Sequence, residues 1–355
     1  MDNTNKSLQF LNDLLNARSP SGYEKEVQNV IDSYMRPVSD IYNQDIMGNC
    51  FSILQEKKTP ILLLAGHMDE IGFVVKYINE NGFLYFDTIG GHDKSLIAGR
   101  RVSIVTKKGN ITGVIGKKAI HLMSSEERKK VSELSEMWID IGVNSKTEAK
   151  NIVSIGDPVV YKHNFEVLRN SIGVARAFDN KAGCYVVCET IRRLSKIKHL
   201  LEAQVVGVAT TQEEIGTRGA ITSSYTINPD VAIAIDVSHA TDYPDCDKRK
   251  LGEFFLGKGP IICRGPNINQ WVYENLIICA KNSKIPYQIE ACPGITSTDA
   301  RSIQVTRKGV ATGLISIPLR YMHTPSELIN LEDLEQSIKL LMAFSKFLTK
   351  KHIKN

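Results

Sequence analysis

An α/β fold with a mixed, mostly parallel central sheet, interrupted by a small all-β unit, is predicted by three observations. On both sides of residues 71–164, short apolar runs rich in β-branched residues alternate with amphipathic segments of helical length. Between about Gly72 and Asn164 the texture changes to short alternating runs broken by Gly, Asn and Asp, as in FLYFDTIGG, RVSIVTKKGNITGVIG and WIDIGV. At 355 residues the chain also exceeds the usual size of one compact domain. Strands separated by helices favour parallel pairing, whereas strands joined by tight turns pair antiparallel. The predicted organisation is a discontinuous α/β domain, residues 1–70 and 165–355, carrying an inserted β domain, residues 71–164.

Taken in order, SLQFLNDLLNA and GYEKEVQNVIDSYM read as helices, the second after the turn-forming SPSG. ILLLAG is a buried strand ending at Gly66. Within the insertion, NENG and KKGN are hairpin turns and SSEERKK a short helix. The alternation resumes with strand IGVARAF, helix NKAGCYVVCETIRRLSK, strands AQVVGVATT and VAIAIDV, helix NQWVYENLIICAKNS, and strands YQIEA and VATGLISIPL. No tandem repeat or low-complexity linker interrupts them.

Composition narrows the function classes. Apolar residues at 42% and charged residues at 23% are ordinary for a folded soluble chain. The net charge of +5, from 44 basic and 39 acidic residues, is dispersed, and the basic tail KFLTKKHIKN reads as the solvated end of a helix, so nucleic acid is not implied. No stretch approaches the ~18 apolar residues of a membrane span, and MDNTNKSLQF lacks a signal pattern. The seven cysteines form no CxxC pair and sit mostly within apolar runs, so they are expected to be reduced and packed as small hydrophobes. The expected location is cytoplasmic.

Five residues of metal-ligand type stand at the ends of strand-like runs: His67 in ILLLAGHMDEIG, Asp179 in ARAFDNKAG, Glu214 in VVGVATTQEEIG, Asp236 in VAIAIDVSHA and His323 in ISIPLRYMHTPSE. Residues at the carboxyl ends of strands in such sheets converge on a common site. Two imidazoles and three carboxylates suit a pair of divalent ions of the Zn, Co or Mn type. Each residue also has a plainer reading. His67 and Asp69 fit a strand-end turn, Asp179 fits a helix N-cap, and Glu213 with Glu214 fits a solvated loop. Against the last, two adjacent carboxylates after so apolar a strand repel each other unless cations or protons intervene; if the two diverge by role, Glu214 ligates and Glu213 is free to move a proton. Asp69 is placed to steady His67 from two residues away. His239, and His92, His121 and His163 in the insertion, read as supporting or surface residues. No GxSxG elbow, Walker loop or GxGxxG follows a strand in the required context.

HMDEIGF, VARAFDNKAG, TTQEEIGTRGA, IAIDVSHA, TSTDARSI, TRKGVATGLISIPLRYMHTPSE and the insertion block from VIGKKAIHLMSSEERKK to IGDPVVY together resemble the tetrahedral aminopeptidases, a glutamyl and leucyl aminopeptidase-like family of dinuclear metallopeptidases. The resemblance runs from about Leu8 to the C-terminal helix. It implies a zinc-peptidase-like domain with an inserted β-barrel or PDZ-like domain used in assembly, a homo-oligomer of twelve subunits, and peptide substrates. It also implies one ion on His67, Asp179 and Asp236, a second on Asp179, Glu214 and His323, Glu213 as general base, Asp69 orienting His67, and a cis bond between Asp179 and Asn180. The chain departs from the family at Thr296 and Ser297, where a glycine pair is common, and at His92, where an aromatic residue is common. The same ion pair also serves amidohydrolases, carboxypeptidases or glucanase-labelled relatives, and a silent scaffold of this fold is the alternative from another class. No carboxylate pair reads independently as a glycosidase acid and nucleophile.

Overall fold

A computed structural model describes residues 3–353. The strands are β1 (Ile41–Gln44), β2 (Cys50–Leu54), β3 (Ile61–His67), β4 (Gly72–Ile78), β5 (Leu84–Ile89), β6 (Arg101–Thr106), β7 (Gly109–Lys117), β8 (Met137–Asp140), β9 (Pro158–Tyr161), β10 (Glu166–Val167), β11 (Ile172–Ala175), β12 (Gln204–Thr210), β13 (Val231–His239), β14 (Ile261–Arg264), β15 (Gln288–Ala291), β16 (Ala311–Arg320) and β17 (Glu327–Asn330). The α-helices are α1 (Asn3–Asn16), α2 (Lys25–Met35), α3 (Lys146–Lys150), α4 (Phe178–Ser195), α5 (Arg218–Ile227), α6 (Lys248–Leu251), α7 (Gln270–Asn282), α8 (Asp299–Gln304) and α9 (Leu331–Phe347).

One sheet runs in the order β1-β2-β12-β3-β13-β16-β17-β11-β10, with β14 added alongside β16 and β15 alongside β14. Its centre, β12-β3-β13-β16, is parallel, and both margins are antiparallel. The central strands are buried along nearly their whole length, as parallel strands covered on both faces must be. That is why they read as unbroken apolar runs and not as alternation. Helix α4 lies directly on this sheet. A Cβ on Gly66 would come within 2.8 Å of the Gly183 carbonyl carbon, so the close approach of α4 to β3 depends on that glycine.

Strands β4-β5-β8-β7-β6-β9 form a closed antiparallel barrel. Alternate residues point inward to a separate core that includes Phe73, Val75, Leu84, Phe86, Val102, Ile104, Ile115, Ile139 and Val159. SSEERKK contributes only a 3-10 turn, Glu127–Lys129. Among the described residues no helix is long and apolar enough to cross a membrane.

The cysteines need one correction. Cys263 and Cys292, expected to be reduced, are joined as a disulfide with Cα atoms 6.3 Å apart. Parallel pairing of β14 with β15 sets Cys263 opposite Glu290 and Arg264 opposite Ala291, so Cys292, the next residue, lies diagonally across from Cys263. Sheet register brings them together across 29 residues, a proximity that no local spacing announces. Cys50, Cys184, Cys188 and Cys279 are free and buried, and Cys246 is free and partly exposed.

Candidate active site

Strand register assembles the site. Parallel pairing sets Thr210, the last residue of β12, beside His67, the last of β3, and the β3–β13 register brings Asp236 to the same level. The turn after β12 delivers Glu213 and Glu214, the start of α4 delivers Asp179, and the turn after β16 delivers His323. All five candidate ligands and Glu213 border one open cavity of about 700 Å³.

The ligand-type atoms fall into two groups, His67 with Asp179 and Asp236, and Asp179 with Glu214 and His323, each within 4.8 Å of one another. Asp179 belongs to both. Its Oδ1 lies 3.3 Å from His67 Nε2, and its Oδ2 lies 3.2 Å from His323 Nε2. His67 Nε2 is also 3.8 Å from Asp236 and from Glu213, and His323 Nε2 is 3.5 Å from Glu214. His323 is the most open of the six, with its side chain 34% exposed.

A carboxylate-bonded scaffold fixes these positions. Asp69 is fully buried and accepts hydrogen bonds from the backbone N–H groups of Glu213 and Glu214, at 3.0 and 3.2 Å, and from the Ser21 hydroxyl at 2.5 Å. His67 Nδ1 faces the Asp69 carbonyl at 3.2 Å and its carboxylate at 3.4 Å. Asp69 therefore holds the glutamate turn as well as lying against the imidazole, a second task that spacing alone did not indicate. Glu327 accepts from the backbone N–H of Asp179 at 3.0 Å and of His323 at 2.9 Å, so one buried carboxylate ties together two separate segments. Sequence reading assigned it no role. Its signal was a carboxylate at the start of an apolar strand, four residues past His323. The Asp179–Asn180 peptide bond is cis, and the Asn180 amide bonds the Ile235 carbonyl at 2.8 Å, next to Asp236. Ala177, Gln212 and His323 adopt left-handed backbone angles, a local cost of order 1–3 kcal/mol each that the surrounding packing must offset.

The remaining histidines separate by location. His239 lines the cavity but belongs to neither ligand group. His92 stacks on Phe73 with ring centroids 4.4 Å apart, while its neighbour Gly91 abuts the His323 ring. The barrel thus reaches the site through residues 90–92. Thr296 and Ser297 line the cavity, opposite the strand ends.

The electrostatics point to cations. Burial, reinforced by Asp236, Asp299 and Glu214, pushes the Glu213 carboxyl up to about 9. Burial likewise raises Glu214, next to Asp179, and raises Asp236 well above the carboxylate range. Burial opposes ionisation of Asp179 too, but hydrogen bonds from His323 and His67 hold its carboxyl low. His323 is pushed up to about 11 against its burial by Asp179 and Glu214. Four carboxylates facing two imidazoles carry more negative charge than the protein balances, and Glu214 Oε1 is buried without a hydrogen-bond partner. The donor set, its charge and this orphaned oxygen all fit divalent cations.

Comparison with known proteins gives the same reading. The sequence model of the M42 glutamyl aminopeptidase family matches residues 48–340. The lysyl aminopeptidase of Pyrococcus furiosus is 33% identical over 338 residues, 94% of this chain and 95% of its own length. A TET aminopeptidase from a marine sediment Thaumarchaeota archaeon superposes with a TM-score of 0.95 at 36% identity, covering 99% of each chain. The TET1 peptidase of Pyrococcus horikoshii, which can assemble into a tetrahedron or a large octahedral shell, superposes with a TM-score of 0.84 at 33% identity, covering 96% of this chain and 99% of its own. With strand ends, ligand-type residues and whole-length likeness in agreement, this chain belongs to the M42 glutamyl aminopeptidase family, as a metallo-aminopeptidase of the TET type.

Proposed function

We propose that this aminopeptidase works with two divalent cations, Zn or Co by preference with Mn as a further option, and removes N-terminal residues from oligopeptides. His67, Asp179 and Asp236 hold one ion, and Asp179, Glu214 and His323 hold the other. The observation that carries this is the orientation of Asp179, whose two oxygens face different histidines in two groups that share no other residue. A cation pair supplies Lewis-acid activation of water and of the scissile carbonyl. Glu213 stands beside both groups without being needed by either, so it takes the proton from the attacking water and returns it to the leaving amine. Asp69 holds the Glu213–Glu214 backbone and orients His67 in this reading. The Asp179 backbone is fixed independently by Glu327.

Residues 1–70 and 165–355 form the catalytic domain, and residues 71–164 serve self-association into a tetrahedral dodecamer. Exposed Ile120, Leu122 and Val131 on the barrel support an assembly surface. Initial hydrolysis rates on free-amino aminoacyl anilides and their N-acetylated counterparts, using metal-stripped protein with and without added zinc or cobalt, test the activity. Metal-restored cleavage of only the free-amino set is expected. Cleavage of the acetylated set, or turnover indifferent to metal, overturns the reading. Sedimentation of the intact protein against a variant carrying Leu122→Asp tests the assembly role.

A further inference from the structure

Beyond the metal cluster, the cavity wall holds a carboxylate that the hydrolytic chemistry does not use. Glu290, on β15, lines the cavity but belongs to neither ligand group. It is half-buried, and its contact is the Ser238 hydroxyl, at 3.0 and 3.2 Å. Among the described residues no lysine, arginine or histidine forms an ion pair with it. Ser238 stands two residues beyond Asp236 on β13, about 7 Å along the strand at ~3.3 Å per residue. The carboxylate therefore lies a long side chain's reach from the reacting centre. Leu314, Met322 and Ile295 add apolar surface to the same cavity.

We infer that Glu290 is the specificity-determining residue of this aminopeptidase and selects peptides whose N-terminal residue is basic, lysine or arginine. The inference rests on the cavity being the peptide site proposed above. A partly desolvated carboxylate without a counterion disfavours an acidic side chain by repulsion, and an apolar one would bury it without a partner. A lysine or arginine stem packs on the apolar surface while its cationic head pairs with Glu290. Burial already holds the Glu290 carboxyl above its ordinary value, and an incoming cation reverses that. The opposite selectivity, for acidic residues through Arg301, is less well supported: Arg301 also borders the cavity but is exposed to solvent, where its charge is screened.

The test is kcat/KM for lysyl, arginyl, leucyl and glutamyl anilides with wild-type enzyme and Glu290→Gln, Glu290→Asp and Glu290→Arg. Lysyl and arginyl substrates are expected to lead, and the lysyl-to-leucyl ratio is expected to fall about 100-fold in Glu290→Gln. Glu290→Asp recovers part of it, and Glu290→Arg moves preference toward glutamyl substrates. An equal loss on all four substrates makes Glu290 merely structural and overturns the proposal, as does a wild-type preference for leucyl or glutamyl. If no anilide is cleaved by metal-loaded enzyme, the peptidase reading is what fails. Selectivity is then read by calorimetric binding of L-lysinamide against L-leucinamide, where tighter binding of lysinamide that Glu290→Gln removes supports the proposal and equal binding overturns it.

Discussion

Two buried ionic clusters lie only a few residues apart in the sequence, and they are balanced in opposite ways. In the cavity, Asp179, Glu213, Glu214 and Asp236 face, among the described residues, the imidazoles of His67 and His323, and several of the carboxyls are driven toward the protonated form. One step along the same segments, Glu70 receives Arg176, the Lys181 ammonium at 2.8 Å and the Ser19 N–H at 3.0 Å. Lys181 also donates to the Ala17 carbonyl at 2.6 Å. Against the effect of burial, Arg176 and Lys181 hold the Glu70 carboxyl down to about 2. Lys181 moves the other way from a simple pair: burial, reinforced by repulsion from the Arg176 charge, lowers it to about 8 despite the attraction of Glu70. One cluster is complete within the protein and so is structural. The other has more carboxylates than imidazoles to balance them, a donor set that suits divalent cations.

The contrast breaks most sharply at Glu213. Glu213→Gln is expected to retain two ions per subunit by elemental analysis yet lose about 1,000-fold or more in kcat. Unchanged turnover would remove it as the general base. Glu70→Gln should do the reverse, costing about 3–5 kcal/mol of stability by chemical denaturation at fixed protein and metal concentration, because it leaves two buried cations without their carboxylate. It also carries a pH signature. The Glu70 carboxyl sits at about 2 when folded against an ordinary 4.5, so its stabilisation is fully present above about pH 4.5 and is lost as pH falls toward 2. Glu70→Gln should flatten that acid limb, and an unchanged limb places the acid sensitivity elsewhere.

Chelation separates the clusters from the ligand side. Stripping metal should abolish activity and lower the melting temperature, by the equivalent of ~2.7 kcal/mol for each site held at 100 times its Kd. In Glu70→Gln the same decrement is expected on top of the mutational loss, since the two clusters are balanced independently. A melting curve indifferent to chelator argues against ion binding at the strand ends. The smallest effect is expected at Ser21, whose hydroxyl donates to Asp69. Ser21→Ala should reduce kcat about tenfold with little change in stability, through a looser glutamate turn. A loss of folding instead makes Ser21 part of the structural set.

The sequence by itself determined the fold class and the identities of the residues that meet at the strand ends. A parallel strand buried on both faces is an apolar run, and a polar residue where such a run stops, as at His67, or in the turn just after it, as at Glu214 and His323, marks the face where strands open into a cavity. Asp236 instead lies within β13, three residues before its end, and Asp179 enters at the start of α4. Local periodicity also marked the inserted all-β unit, because tight antiparallel turns need Gly and Asn. Only the tertiary structure decided who faces whom. That the Asp179 oxygens point to different histidines, that Glu327 holds two distant backbones, that Asp69 caps the glutamate turn, that Glu70 is neutralised by Arg176 and Lys181, and that Cys263 meets Cys292 all depend on register between strands far apart in the chain. Local spacing carries no information about that register, since it is set by packing the whole sheet at once.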